Sequence, residues 1–409
     1  MSDDVTDDLA GTAPSPPADG DTDRPAAPTD RPADPGAAGP PARRGRPGRW
    51  PPTTPLARHL LALLVGAVVV VALVELADAF LVSQIASLSY YVVACAGLTL
   101  LTGTNGQISL GHGALMAVGG YTTALLLPPG VPFPLAIVGG AIAAGLVGAV
   151  VGVAAAQLHG PYLAGATLAL AVGLPGLAIA FAGVLGGDQG LAVDAPRPPT
   201  WFVDAHFFLF ATDPSTTQWL AGIGAAVAGI VLVLLANLGT SRYGRVWRAI
   251  RDDEVAAELA GLRAGRLRVL AFVVSAVCAG LAGGVLALVT RLVAPSGFGI
   301  VLSLSLLAAI VIGGLGSLTG AVLGSLVIVF LPPLVTSLGA GAGLPDTQAA
   351  ELAPLTYGLV LVLVMIFAAD GAVGLLRRLG ARLTGPRLSG PRRDAGQEQG
   401  SDAEPRRTR

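Results

Sequence analysis

The chain has 409 residues, 53% of them hydrophobic and only 12% charged, with a formal net charge of −1. Its charges lie mostly in two tails and one internal loop, which marks an integral membrane protein and excludes an ordinary soluble domain. None of the basic residues is lysine. The chain therefore lacks the phosphate-gripping lysine of a P-loop and is not itself a Walker-type ATPase.

Residues 1–52 are rich in Pro, Ala, Gly and Asp without apolar periodicity, so they are expected to be a disordered cytoplasmic tail. Arg43, Arg44, Arg46, Arg49 and Arg58 form a basic collar beside the first apolar run, which places the N-terminus inside. No small-residue cleavage site with a mature soluble domain follows, so the run reads as a retained span. Apolar stretches long enough to cross a bilayer are then expected at 56–77, 82–103, 110–127, 131–157, 161–184 and 218–238. After an arginine-rich loop (240–268) they continue at 267–290, 299–315, 318–338 and 354–370. The fold class is thus all-α: a polytopic transmembrane helix bundle of about ten spans. Some of its runs are short or glycine-rich enough to be re-entrant. The transmembrane domain covers 53–378, and residues 379–409 are expected to form a second disordered cytoplasmic tail behind Arg377 and Arg378.

Two stretches interrupt this apolar pattern. The first, Thr102 to Gly113, puts Asn105, Gln107, Ser109 and His112 at or near membrane depth beside Gly103, Gly106, Gly111 and Gly113. Lipid cannot satisfy non-helical backbone, so such a segment is buried in protein or lines a watery cavity. A tight capped turn on the inner face is the alternative. The second is the island Arg242–Arg268. Asp252 or Asp253 can cap a helix there, with Glu254 at its positive end. Ala256, Ala257 and Glu258 favour helix, and Gly261 stops it. A helix of roughly two turns suits docking on a soluble partner; a solvated loop whose arginines only set topology fits equally well.

The external segment 186–217 carries Trp201, Phe202, Phe207, Phe208 and Phe210 and is expected to lie partly in the outer interface. Glu75 and Asp78 lie near an external end, within reach of water. Cys95 and Cys278 sit in apolar runs and read as inert buried thiols, and the four histidines form no ligand pair, so no metal site is expected. Gly148/Gly152, Gly280/Gly284 and Gly320/Gly324 fit close helix packing.

Four blocks in order, over about residues 60–378, resemble the permease family of ABC-type branched-chain amino acid importers, specifically its M-type subunit. Glu254-Val-Ala-Ala-Glu-Leu-Ala-Gly261 is similar to the "EAA" coupling loop. GLTLLTGTNGQISLGHGALMAVGGYTTALL shares Gly106, Gln107, Ser109, Leu110, Gly111, His112, Gly119 and Tyr121 with the family pattern, and departs from it at Gly113, Leu115 and Met116. Ile312–Gly320 and the span from Tyr357 are the other two blocks, with Thr319 replacing the usual aromatic and Ala368-Ala-Asp370-Gly371 replacing an Arg-Pro pair. The resemblance implies a multi-pass inner- or plasma-membrane permease with both termini cytoplasmic. It implies two ATP-binding cassette ATPase subunits, a second homologous permease, an extracytoplasmic binding protein and surrounding lipid as partners, and no nucleic acid. This chain would hold no cofactor of its own, ATP and Mg being bound by the partner subunits, and no catalytic residues. The coupling residues would be Arg245, Arg248, Asp253, Glu254, Ala256, Ala257, Glu258 and Gly261; those of the pathway would be Asn105, Gly106, Gln107, Ser109, His112 and Tyr121. Permeases for urea, short amides or other small solutes are similar. An ATP-independent secondary transporter fits the hydropathy, but the spans lack the carboxylates or arginines that ion coupling needs. A membrane enzyme would need a catalytic set that His112, Asn105 and Gln107 do not make.

Overall fold

The computed structural model describes residues 55–128, 130–156, 161–367 and 371–375. The two tails expected at 1–52 and 379–409 lie outside the described residues. The helices are α1 (Pro55–Leu76), α2 (Ala79–Leu98), α3 (His112–Leu126), α4 (Phe133–Ala156), α5 (Pro161–Ala180), α6 (Ala182–Leu185), α7 (Thr200–Phe210) and α8 (Thr216–Thr240). They continue with α9 (Arg242–Asp252), α10 (Glu254–Leu259), α11 (Ala264–Thr290), α12 (Ile300–Gly313), α13 (Leu318–Gly341) and α14 (Asp346–Phe367). A two-stranded antiparallel ribbon pairs β1 (Leu191–Ala192) with β2 (Leu292–Val293), Leu191 opposite Val293.

Among the described residues, seven helical stretches are long and apolar enough to cross a membrane, with α2 counted on to Thr104 and α12 counted from Pro295, or eight if the bent pair α5–α6 is one span. The expectation of about ten is corrected for two reasons. The run 110–127 gives only the 15 residues of α3, too few to cross at 1.5 Å per residue. The run 161–184 turns by 89° where α5 gives way to the segment after Phe181. The last expected span, 354–370, falls in α14 and runs past the described residues. Hydropathy counts apolar residues and says nothing about the direction in which the chain leaves them.

The core lies where α2, α3 and α11 meet, around Val93, Leu98, Met116, Ala279 and Ala282. Small residues make it possible. A Cβ on Gly283 would overlap the Met116 carbonyl, and one on Gly119 would overlap Gly280. Backbones this close gain dispersion contacts that larger side chains would prevent, the usual basis of helix association in lipid. On the far side, α1 is exposed along most of its length and is tied to α8 by His59 Nδ1 and Asn237 Oδ1 at 2.9 Å.

The segment 186–217 carries its aromatics on α7. Phe202 and Trp201 pack against Trp219 of α8 at centroid distances of 4.6 and 6.1 Å, while Phe207, Phe208 and Leu209 stay exposed. Asp78 caps α2 through the Leu81 amide. Glu75 is less open than expected: its carboxylate accepts from His206 Nε2 of α7 at 2.9 Å, and the opposite ring edge meets Thr212 O at 2.8 Å.

Candidate translocation break and coupling segment

The polar stretch after α2 is a broken helix. From Thr99 to Thr104 the chain runs on as a π-helix, a form that concentrates at functional sites. It then leaves helical geometry until α3 begins at His112. Gly106 has φ +80°, a left-handed conformation open to glycine at no steric cost. Thr102 Oγ1 donates to Gln107 O and the Gln107 amide to Leu101 O, closing the turn. Leu110 N donates to Thr167 Oγ1 of α5. The non-helical backbone is thus held by protein, as lipid-facing depth would require.

Asn105, Gln107, Ser109 and His112 are all buried. His112 Nε2 lies 3.1 Å from Ala94 O; a carbonyl can only accept, so this nitrogen carries the proton. Gln107 Nε2 donates to the Arg268 carbonyl at 3.1 Å. Both side-chain atoms of Asn105, Ser109 Oγ and His112 Nδ1 are buried without a hydrogen-bond partner among the described residues. Buried polar groups are normally satisfied, so unpaired ones at a single break are an invitation to solvent or solute. Tyr121 does not join them. It lies nine residues along α3, about 14 Å from His112, and its ring faces Phe298 at 6.4 Å.

A second break meets the first. Between α12 and α13 the chain passes through Gly314 and Gly316, both at positive φ. A Cβ on Gly103 would overlap the Gly316 backbone, so the two breaks touch.

The charged island folds as α9, α10 and the start of α11. Trp247 of α9 is fully buried and donates its indole N–H to Leu267 O at 2.9 Å. Ile250, Ala257 and Ala264 form a small core of their own. Asp253, not Asp252, caps α10, accepting from Ala256 N. Gly261, at φ +86°, ends it in a complete Schellman motif, with Leu262 N on Ala257 O and Gly261 N on Glu258 O. Glu254 pairs with Arg268. Ala256 and Glu258 are exposed, and beside them Val255 (68%) and Leu259 (85%) are bare one turn apart on the same face.

The family described as "branched-chain amino acid transport system / permease component" matches residues 80–369. The chain belongs to it. The permease is 30% identical over 329 residues to the high-affinity branched-chain amino acid transport system permease protein LivM of Escherichia coli (strain K12), covering 75% of each chain. It is 29% identical over 302 residues to LivM of Salmonella typhimurium, covering 70% of this chain and 68% of that one. It is 26% identical over 250 residues to the permease protein LivH of Escherichia coli (strain K12), covering 59% and 80%. No solved structure matches. With its set of long apolar helices, the permease is a multi-pass membrane protein.

In this permease the two groups of candidate residues come together through two further arginines, Arg251 and Arg268. Arg245 and Arg248 were the basic candidates, yet their guanidinium groups only cap the end of α8, at Thr240 O (3.1 Å) and Gly239 O (3.2 Å). It is Arg251 Nη1 that reaches Gly103 O in the broken helix. The Arg268 backbone reaches Gln107. The sequence signal for Arg251 is its place two residues before the capping Asp253, at the end of α9.

Proposed function

We propose that the chain is the membrane-spanning subunit of an ATP-driven importer of branched-chain amino acids, and that separate ATPases drive it through the segment 240–268. What carries the proposal is the coupling segment: a rigid unit with an exposed apolar tip, Val255 and Leu259, tied on its other side to a broken helix with unpaired buried polar groups. An exposed apolar patch on an otherwise charged surface is the mark of a docking site.

In this reading the arginine-rich face is cytoplasmic, by the excess of basic residues beside the spans. Closure of two ATPase subunits displaces the segment, and the helices rock between outward- and inward-open states. An extracytoplasmic binding protein delivers solute, a second homologous permease completes the path, and ATP and Mg stay on the ATPases. The relatives named above as branched-chain amino acid permeases supply the substrate class. The scarcity of charge in the spans suits a zwitterionic or neutral solute carried without ion coupling.

A tagged pull-down from mild detergent tests this, followed by uptake of labelled leucine and valine into liposomes. Co-purification of two ATPases and a second permease, with ATP-dependent uptake, is expected. A chain that purifies alone and conducts solute without ATP would overturn the proposal.

A further inference from the structure

The permease has two independent polar ties between the coupling segment and the broken helix, and both land on backbone. Gln107 Nε2 grips the carbonyl of Arg268, whose side chain in turn holds Glu254 of α10. Arg251, the last basic residue of α9, gives one guanidinium N–H to Gly103 O and two others to Asp252 Oδ1. The Gly103 carbonyl belongs to the end of the π-helix, where helix carbonyls have no partner of their own and carry partial negative charge. A cation there makes a charge-assisted bond, roughly twice as strong as a neutral one.

The side chain does more than cap. Its stem lies on Gly106, where an added Cβ would stand 2.8 Å from Arg251 Cγ. Its guanidinium is 3.8 Å from where a Cβ on Gly316 would lie, so one residue touches the first break at Gly103 and at Gly106 and borders the second. Its own backbone is fixed, because Trp247 and Ile250 anchor α9 to α11. A displacement of the coupling segment therefore arrives at the breaks through this side chain.

From this geometry we infer that Arg251 is the positioning residue through which the coupling segment sets the conformation of both glycine breaks, Gly103–Gly106 and Gly314–Gly316. The inference rests on the reading of the chain as an ATPase-driven permease. It adds a specific transmission point, which requires that an element with two arrangements be biased from both sides.

Ile108, 50% exposed within the break, reports on it. The complex with its ATPases is prepared with Ile108→Cys in a background in which Cys95 and Cys278 are replaced by alanine. Labelling by a membrane-impermeant maleimide is timed without nucleotide and after trapping with ATP and orthovanadate, normalised to the ATP hydrolysis each complex retains. With Arg251 present the two rates should differ at least about fivefold, and Arg251→Ala should bring them within about twofold, the span expected when a coupling between sites is lost. Arg251→Lys, which keeps a cationic donor, should restore part of the difference. Arg251→Gln keeps the stem over Gly106 and decides the matter should the alanine complex fail to assemble. A nucleotide-dependent difference that survives Arg251→Ala or Arg251→Gln, or a wild-type break with no such difference, overturns the inference and leaves the permease reading standing. Failure of any ATPase to co-purify with the unmodified chain overturns that reading instead, and the inference with it.

Discussion

The two ends of the bundle are held together by different chemistry. At the end that carries the segment 240–268, Arg251 of α9 donates to the backbone of a broken helix more than a hundred residues away in sequence, the Gln107 side chain of that helix donates to the backbone of α11, and Trp247 is fully buried beside them. At the opposite end, α7 lies on the bundle by aromatic packing around Trp219 and by a polar pair, His206 with Glu75, to the edge helix α1. Apolar packing is non-directional and tolerates sliding, whereas bonds to backbone fix register. On the proposed function, the first end would pass on a displacement while the second covers a surface. The helix that carries Glu75, α1, precedes residue 80, where the family match begins.

The comparison breaks most sharply in the core that joins the two ends. Gly283→Ala puts a methyl onto the Met116 carbonyl, where no rotamer can relieve it. The α3–α11 crossing must open, at about 3 kcal/mol, and the melting temperature in detergent should fall by roughly 4 °C. A variant that melts like the parent would show that the crossing is looser than the structure describes. Next comes Gln107→Leu, which deletes one of the two ties and strands a half-buried carbonyl. Uptake should fall about tenfold while stability loses only about 1–2 kcal/mol. Equal losses of folded protein and uptake would make Gln107 a packing residue.

These two positions show what the sequence carried and what it did not. The spans were legible because long apolar runs have few other fates, and the break was legible because Asn105, Gln107, Ser109 and His112 stand out against them. The number of crossings was not, because α3 starts inside the protein and α5 ends in a sharp bend, and neither feature alters hydropathy. Gly261 was read correctly as a helix stop since positive φ is nearly a glycine signature. Nothing local marks Arg251 apart, because the four arginines of α9 differ only in what lies opposite them. The pair Glu75–His206 is separated by 131 residues, and no local pattern announces it.

Gly261 sharpens the coupling side further. Its position has φ +86° and nothing within 4 Å of an added Cβ, so Gly261→Leu meets strain and no clash. The penalty is about 1–2 kcal/mol, confined to the Schellman turn behind α10. The protein should insert and melt nearly as before while ATP hydrolysis proceeds with little uptake. Normal uptake per ATP would remove the turn from the coupling machinery.

The smallest effect belongs to the covering end and is read in pH. His206 lies on α7, outside the spans. Burial lowers the affinity of its ring for a proton, but the Thr212 carbonyl, the Glu75 carboxylate and nearby Asp213 together raise its pKa above the ordinary value. A raised folded-state pKa means that the folded chain holds the proton more tightly than the unfolded one. The pair's contribution is then complete below the unfolded value of about 6.5 and disappears as pH rises through the higher folded value. The parent should therefore melt about 2 °C above His206→Gln at low pH, and the gap should close toward alkaline pH. Since α7 is also held by Trp219, this loss should leave the aromatic contacts and uptake intact, unlike the loss of Gln107. A gap that widened with rising pH would mean that His206 is held neutral, donating to Glu75 without a charge of its own.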